Sequence, residues 1–190
     1  IDARNMVVAG VSTFISDGTF NSITVGKGAN SVAGNTVLGE SALDAATTGG
    51  KNVAIGFEVL TENTTGQENT AVGYRALDAN TIGSENVAIG YVALGANTTG
   101  GNNVAVGRVS LDANTTGDKN TAVGNGTLSA SNADNNTAIG YDALALTTTG
   151  ANNVSVGYFA LRSNTTGGVN TAVGYQALTT NTTLGTHTAV

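Results

Sequence analysis

Catalysis needs titratable or nucleophilic side chains that converge, and this chain has few to bring together. It carries one histidine, His187, no cysteine, 13 Asp and Glu, and seven Lys and Arg over 190 residues. A general acid–base pair or a zinc site would draw on several such groups at once. The acids, among them Glu68, Asp78, Glu85 and Asp112, sit at variable positions that a solvated face explains, and no Asp-x-Asp calcium pattern recurs. The Gly-rich stretches never form a phosphate loop with its Lys. The expectation is therefore a chain that is not an enzyme, with no catalytic, cofactor-binding or metal residue and no cofactor. Sequons such as Asn63-Thr64-Thr65 recur at regular intervals and read as turn chemistry rather than glycosylation sites.

Two residue types are spaced too regularly to be incidental. Asn35, Asn52, Asn69, Asn86, Asn103, Asn120, Asn136, Asn153 and Asn170 are 17 apart, except for one step of 16 from Asn120 to Asn136. All five tyrosines, Tyr74, Tyr91, Tyr141, Tyr158 and Tyr175, and also Phe57, lie five residues after such an Asn. The Asn column reads as a hydrogen-bonded ladder or as a set of left-handed turns. The aromatic column reads as packing between coils or chains, with glycan stacking as the alternative.

The element that positions these columns is the repeat. One copy reads N-[TV]-A-[VI]-G-Y-x-A-L-x-x-N-T-T-G-x-x, nine copies fill 35–186, and a tenth opens at His187-Thr188-Ala189-Val190 with His in the Asn place. Asn, the Gly four later and the Leu eight later are present in all nine. The β-branched run after Asn is too short for a helix and predicts a strand ending at Gly. Asn-Thr-Thr-Gly predicts the turn that closes each coil. The Tyr-x-Ala-Leu segment is expected to form a second strand. The fold class is thus all-β: a parallel β-solenoid or β-roll of nine 17-residue coils, about 43 Å long at ~4.8 Å per coil.

Within a coil the bulky third strand residue (Ile55, Val72, Ile89, Val106) and the Leu are expected to point inward, with Ala54, Ala71, Ala88 and Ala105 on the other side. An interior that thin leaves an isolated stack marginal. A continuous small-residue stripe on the Ala side would then be buried in a symmetric homo-oligomer. The one-residue deletion in 120–135 is expected to disturb the stacking register, with Asp134 replacing the turn Gly.

Residues 1–34 lack the repeat. Met6–Ile15 and Thr19–Val25 read as two β segments separated by Ser16-Asp17-Gly18, an N-terminal β connector ahead of the 35–190 solenoid. A start at Ile1, without an initiator Met, suggests a fragment of something longer.

Composition agrees with a repetitive structural chain. Gly, Ala, Thr and Asn make more than half of it, 11% is charged where about 25% is usual, and Pro, Cys and Trp are absent. With 40% hydrophobic residues and a net charge of −6 it is too apolar for simple disorder. No basic cluster suggests nucleic acid, and no apolar run of about 18 residues suggests membrane insertion.

The strand Asn-Val-Ala-Ile-Gly at 52–56 and 86–90 resembles the head repeats of trimeric autotransporter adhesins. The longer phrase Asn-Thr-Ala-Val-Gly-Tyr-x-Ala-Leu with Asn-Thr-Thr-Gly is similar to repeats in bacteriophage fibre proteins, and 8–25 resembles cyanophage structural proteins. The adhesin heads repeat at nearer 14 or 15 residues, so the period departs from theirs. The resemblance implies a homotrimer and a virion fibre that contacts other virion proteins and a host-surface glycan or receptor. The alternative it implies is the head of a bacterial surface adhesin that binds host matrix or glycan. An ice-binding solenoid is a third reading, disfavoured because the Thr pairs fall in Gly-closed turns.

Overall fold

The structure is a computed structural model that describes residues 18–20, 23–45 and 47–190. Strands β1 (Gly18–Phe20) and β2 (Ile23–Gly26) precede the repeats. Each repeat then supplies one strand: β3 (Thr36–Gly39), β4 (Val53–Ile55), β5 (Thr70–Val72), β6 (Val87–Ile89), β7 (Val104–Val106), β8 (Thr121–Val123), β9 (Thr137–Ile139), β10 (Val154–Val156), β11 (Thr171–Val173) and β12 (Thr188–Ala189). The twelve strands form one sheet in sequence order. From β3 onward every pair is parallel, and equivalent repeat positions lie side by side, Ala54 beside Ala71 and Ala71 beside Ala88. The chain is an all-β solenoid with one repeat per coil.

The β1–β2 pair is antiparallel, so the 19–25 stretch expected as one β segment contributes to two paired strands instead. β2 lies antiparallel on β3, which covers the first coil's strand edge. The Met6–Ile15 segment lies outside the described residues.

The Tyr-x-Ala-Leu segment is neither a strand nor a helical turn, and this corrects the expected second strand. In each copy the residue before Ala and the Leu after it both have left-handed backbone, as in Arg75 (φ 52°) and Leu77 (φ 53°). A left-handed non-glycine residue costs roughly 1–2 kcal/mol. What offsets it is hydrogen bonding: Arg75 N–H donates back to Phe57 O at 2.9 Å, and Leu77 N–H donates forward to Ala93 O at 3.1 Å. Alternating the two hands turns successive amides toward the previous and the next coil. The corner thereby stays bonded to its neighbours while bending more tightly than a pleated strand allows.

The Leu column points inward as expected, but the facing of the strand is the reverse of the expected one. Ala54, Ala71, Ala88, Ala105, Ala122, Ala138 and Ala172 are fully buried, together with the Leu column from Leu43 to Leu161. Ile55, Val72, Ile89 and Val106 face outward, with Ile89 and Ile139 each 40% exposed. A 17-residue coil is narrow, and Leu filling it from one side leaves room for a small side chain from the strand opposite: Ala in seven coils, Ser155 in one and Val37 in the first. The Ala stripe is therefore the solenoid's own core and cannot be an interface between chains.

The Gly that ends each strand has φ between 129° and 156°. At eight of the nine positions a Cβ there would collide with the carbonyl of the equivalent Gly one coil on; Gly174 alone has nothing within 4 Å. The shortened repeat keeps its register, contrary to expectation: Thr121 pairs with Thr137, and Asn136 N–H donates to Asn120 Oδ1 at 2.9 Å. The deletion falls inside the closing turn, where Ala133, not Asp134, takes the Gly place. Its carbonyl accepts Asn120 Nδ2 at 2.8 Å, as Gly117 O does for Asn103. Elsewhere a Cβ at that Gly would meet the Oδ1 of the Asn three residues earlier, as at Gly66 with Asn63. Here Ser131 stands in the Asn place, and its Oγ accepts Ala133 N–H at 3.1 Å.

Candidate functional surface

The Asn column is a ladder. Asn103 Oδ1 accepts Asn120 N–H at 2.9 Å, and Asn103 Nδ2 donates to Gly117 O at 2.8 Å. None of these Asn residues is left-handed; the positive φ belongs to the residue before each, such as Lys51 (62°) and Glu68 (59°). A second buried ladder, which the turn reading of Asn-Thr-Thr-Gly passed over, runs from Asn63 through Asn80 and Asn97 to Asn114, with Nδ2 to Oδ1 distances of 2.8–2.9 Å. The signal for it was the same 17-residue spacing. Ser131 and Thr147 interrupt it, and the Thr147 hydroxyl is buried without a partner. Asn63 is fully buried and its amide is committed to Gly66 O at 3.1 Å, so its sequon is not a glycan acceptor in the folded coil.

The outward face of the sheet is built from the first and third strand residues. It runs as rows of Thr or Val (Val53, Thr70, Val87, Val104) beside rows of Ile, Val or Leu (Leu38, Ile55, Val72, Ile89), all partly or substantially exposed. Beside it stands the aromatic column. Phe57, Tyr74 and Tyr91 stack at 5.5 and 5.1 Å between centroids, and Tyr141, Tyr158 and Tyr175 at 5.5 and 5.4 Å, all with interplanar angles of 16° or less. The Arg108 guanidinium continues the first run, 5.6 Å from the Tyr91 ring. These side chains are 38–73% exposed, yet most of the ring faces are covered by one another.

The charged residues form pairs along the flanks. Lys51 meets Glu68 at 2.7 Å, Arg75 meets Asp78 at 2.6 Å and Glu58 at 3.4 Å, and Arg162 meets Asp142 at 3.3 Å. The hydrogen bond to Asp78 raises the Arg75 pKa, and the one to Glu68 raises that of Lys51. Glu68 and Glu85 are exposed as expected, but Asp78 and Asp112 are only partly so. Asp112 Oδ1 is buried without a partner, and burial pushes the carboxyl pKa up. His187 is exposed; its N–H donates to Asn170 Oδ1 at 3.0 Å, continuing the Asn ladder through the backbone. Among the described residues no group of three or more His, Asp or Glu converges, and no helix is long and apolar enough to cross a membrane. Compared with protein-family models, curated proteins and solved structures, the chain has no match.

Proposed function

We propose that the chain is a structural shaft segment of a viral fibre, homotrimeric along its length, which carries or presents a host-recognition element in a phage virion. The observation that carries this reading is the outward sheet face. Two β-branched or aliphatic columns and the neighbouring aromatic column form a strip about 43 Å by 14 Å, on the order of 600 Å². With its Thr positions and with Arg108 and Asn125 in the aromatic column it is not apolar throughout, but its Ile, Val, Leu and ring surface lies at the upper end of the apolar patches that monomeric chains leave in water, and such patches are often interaction sites. Every coil adds the same increment, so identical chains running in parallel around one axis bury the strip continuously, at about 25 cal/mol for each Å² removed from water. The interface of this reading is the Val and Ile face, in place of the Ala stripe.

A shaft function also fits the hydrogen bonding. Nearly every coil-to-coil contact, from the sheet to the two Asn ladders and the Tyr-x-Ala-Leu corner, runs along the rod axis, which suits an element that bears load lengthwise. The test is solution mass together with interface mutation: Ile89→Asp and Val106→Asp place charges on the strip without touching the coil interior. A trimer for the parent chain and dissociation to folded monomers for the double variant support the reading. A parent chain that is a stable monomer removes it.

A further inference from the structure

Successive rungs of the outward strip are nearly interchangeable. Most coils present Thr or Val, then Ile, Val or Leu, then an aromatic ring, as in Thr70, Val72 and Tyr74 or Val87, Ile89 and Tyr91. When one chain packed along such a strip slides by a coil, about 4.8 Å, it gives up a single rung of contact in nine. Repetitive strands specify register weakly for the same reason. Three rungs depart from the pattern in the aromatic column: Glu40 at the first coil, and Arg108 and Asn125 on adjacent coils in the middle.

Arg108 and Asn125 share a second property. Among the described residues neither side chain makes a hydrogen bond or an ion pair, whereas Arg75 and Arg162 are paired within the chain. The Arg108 guanidinium rests on the Tyr91 ring, 5.6 Å from its centroid, and Asn125 is held through its backbone O, which accepts Asp142 N–H at 2.9 Å. Arg is a donor only, and the Asn carbonyl is an acceptor. A guanidinium taken into an interface has to be paired there. The two coils are in step, since Gly126 N–H donates to Arg108 O at 3.1 Å, so the two side chains stand one coil apart, about 4.8 Å, a distance that an Arg side chain spans. Burial raises the Asp112 pKa while the Arg108 charge acts in the opposite sense, so these two groups of one coil sense each other and three chains do not assemble three uncompensated cations.

We propose that Arg108 and Asn125 are the register lock between copies of this chain: around the trimer, Arg108 of each chain donates to Asn125 Oδ1 of the next, in one polar layer two coils deep. The inference rests on the shaft reading and adds which offset its chains adopt, namely none. With no offset, all three Arg108–Asn125 pairs are one coil apart. In either direction, a one-coil offset of one chain puts one of these pairs two coils apart, about 10 Å, and sets polar side chains against the neighbours' rings. A single buried polar position fixes the register of coiled coils in the same way, at a cost in stability.

The test uses the full chain, with light scattering for mass and NMR of the Ile δ1-methyl groups for equivalence of the chains. In the parent trimer each Ile should give one methyl signal. Arg108→Tyr with Asn125→Tyr completes the aromatic column. Association should be kept, but Ile55, Ile89 and Ile139 should each split into several signals, and overhanging rungs should recruit further chains to masses above the trimer. The exchanged variant, Arg108→Asn with Asn125→Arg, keeps a donor and an acceptor in the layer and should keep one signal for each Ile. Melting curves verify folding; if the filled variant is not folded, Arg108→Leu with Asn125→Leu is judged by the same criteria. A filled variant that stays a trimer with one signal for each Ile, or that falls apart into monomers, overturns the register lock and leaves the shaft reading standing. Several signals for each Ile in the parent trimer or in the exchanged variant overturn it as well. A parent chain that is a stable monomer overturns both.

Discussion

Asn52 and Asn69 are joined twice across adjacent coils: Asn69 N–H donates to Asn52 Oδ1 at 2.9 Å, and Asn69 Nδ2 donates to the same oxygen at 3.2 Å. Asn52 in turn donates through Nδ2 to Gly66 O at 3.0 Å. One side chain therefore ties the start of its own strand to the next strand and to the next closing turn. This makes Asn, rather than any apolar residue, the part that sets the register between coils.

Replacing one rung should show this directly. Asn103→Leu keeps the branched shape but leaves Asn120 N–H buried and unpaired, at about 1–3 kcal/mol, and removes one of the two donors to Gly117 O, which keeps Asn114 Nδ2 at 3.1 Å, at about 1 kcal/mol. A loss of about 3 kcal/mol is expected from chemical denaturation. Asn102→Lys, at the exposed neighbouring position that is already Lys in other copies, should change stability by less than about 0.5 kcal/mol.

The Gly column separates steric from conformational cost. Gly90→Ala drives a Cβ into the Gly107 carbonyl at a left-handed φ of 137°, whereas Gly174→Ala meets only the φ penalty, since nothing lies within 4 Å. Gly90→Ala should lower the melting temperature far more than Gly174→Ala. Equal shifts would mean that backbone conformation alone fixes this position.

Much of this was legible in the sequence, and the parts that were not share one cause. The 17-residue spacing of Asn35 through Asn170 is enough to derive one coil per repeat, the strand after Asn and the Gly at its end. The strand's facing is inverted, while the Leu column is inward as expected, because alternation says which residues share a side, not which side is inside. The choice of Ala over Ile55 for the interior depends on the coil's width, and that follows from the left-handed Leu77 and Arg75 at the corner. A Leu with positive φ leaves no mark in composition or periodicity. The second Asn ladder is hidden for a different reason: Asn80-Thr81-Ile82-Gly83 and Asn97-Thr98-Thr99-Gly100 are also good turn sequences, which account for both Asn residues without a ladder.

Leu111 and Asp112 are adjacent with opposite surroundings. Leu111→Asp puts an unpaired charge into the fully buried column and is expected to cost more than about 4 kcal/mol. Asp112→Asn should stabilise at pH 7, because burial raises the Asp112 pKa in the folded state and Oδ1 has no partner. A carboxyl whose folded pKa lies above its unfolded value holds its proton longer when folded, so its ionisation penalises the fold as pH rises through the folded pKa. The advantage of Asn over Asp should therefore vanish as pH falls below about 4, where both states are protonated. Melting curves across that range test the sign.

Hydrogen exchange should locate the deleted residue's effect in the turn. Thr121–Val123 and Asn136 keep full ladder bonding, so their amides should be as protected as those of neighbouring coils. Faster exchange is expected only around 132–135, and fast exchange throughout 120–135 would show that the coil as a whole is loosened.

The measurement that bears most directly on the shaft reading is the mass of the chain in solution by light scattering at micromolar concentration. Burial of the Ile89 and Val106 face between identical chains predicts a trimer, three times 18.7 kDa. A single stable species of 18.7 kDa, with the Val and Ile strip left in water, would contradict it.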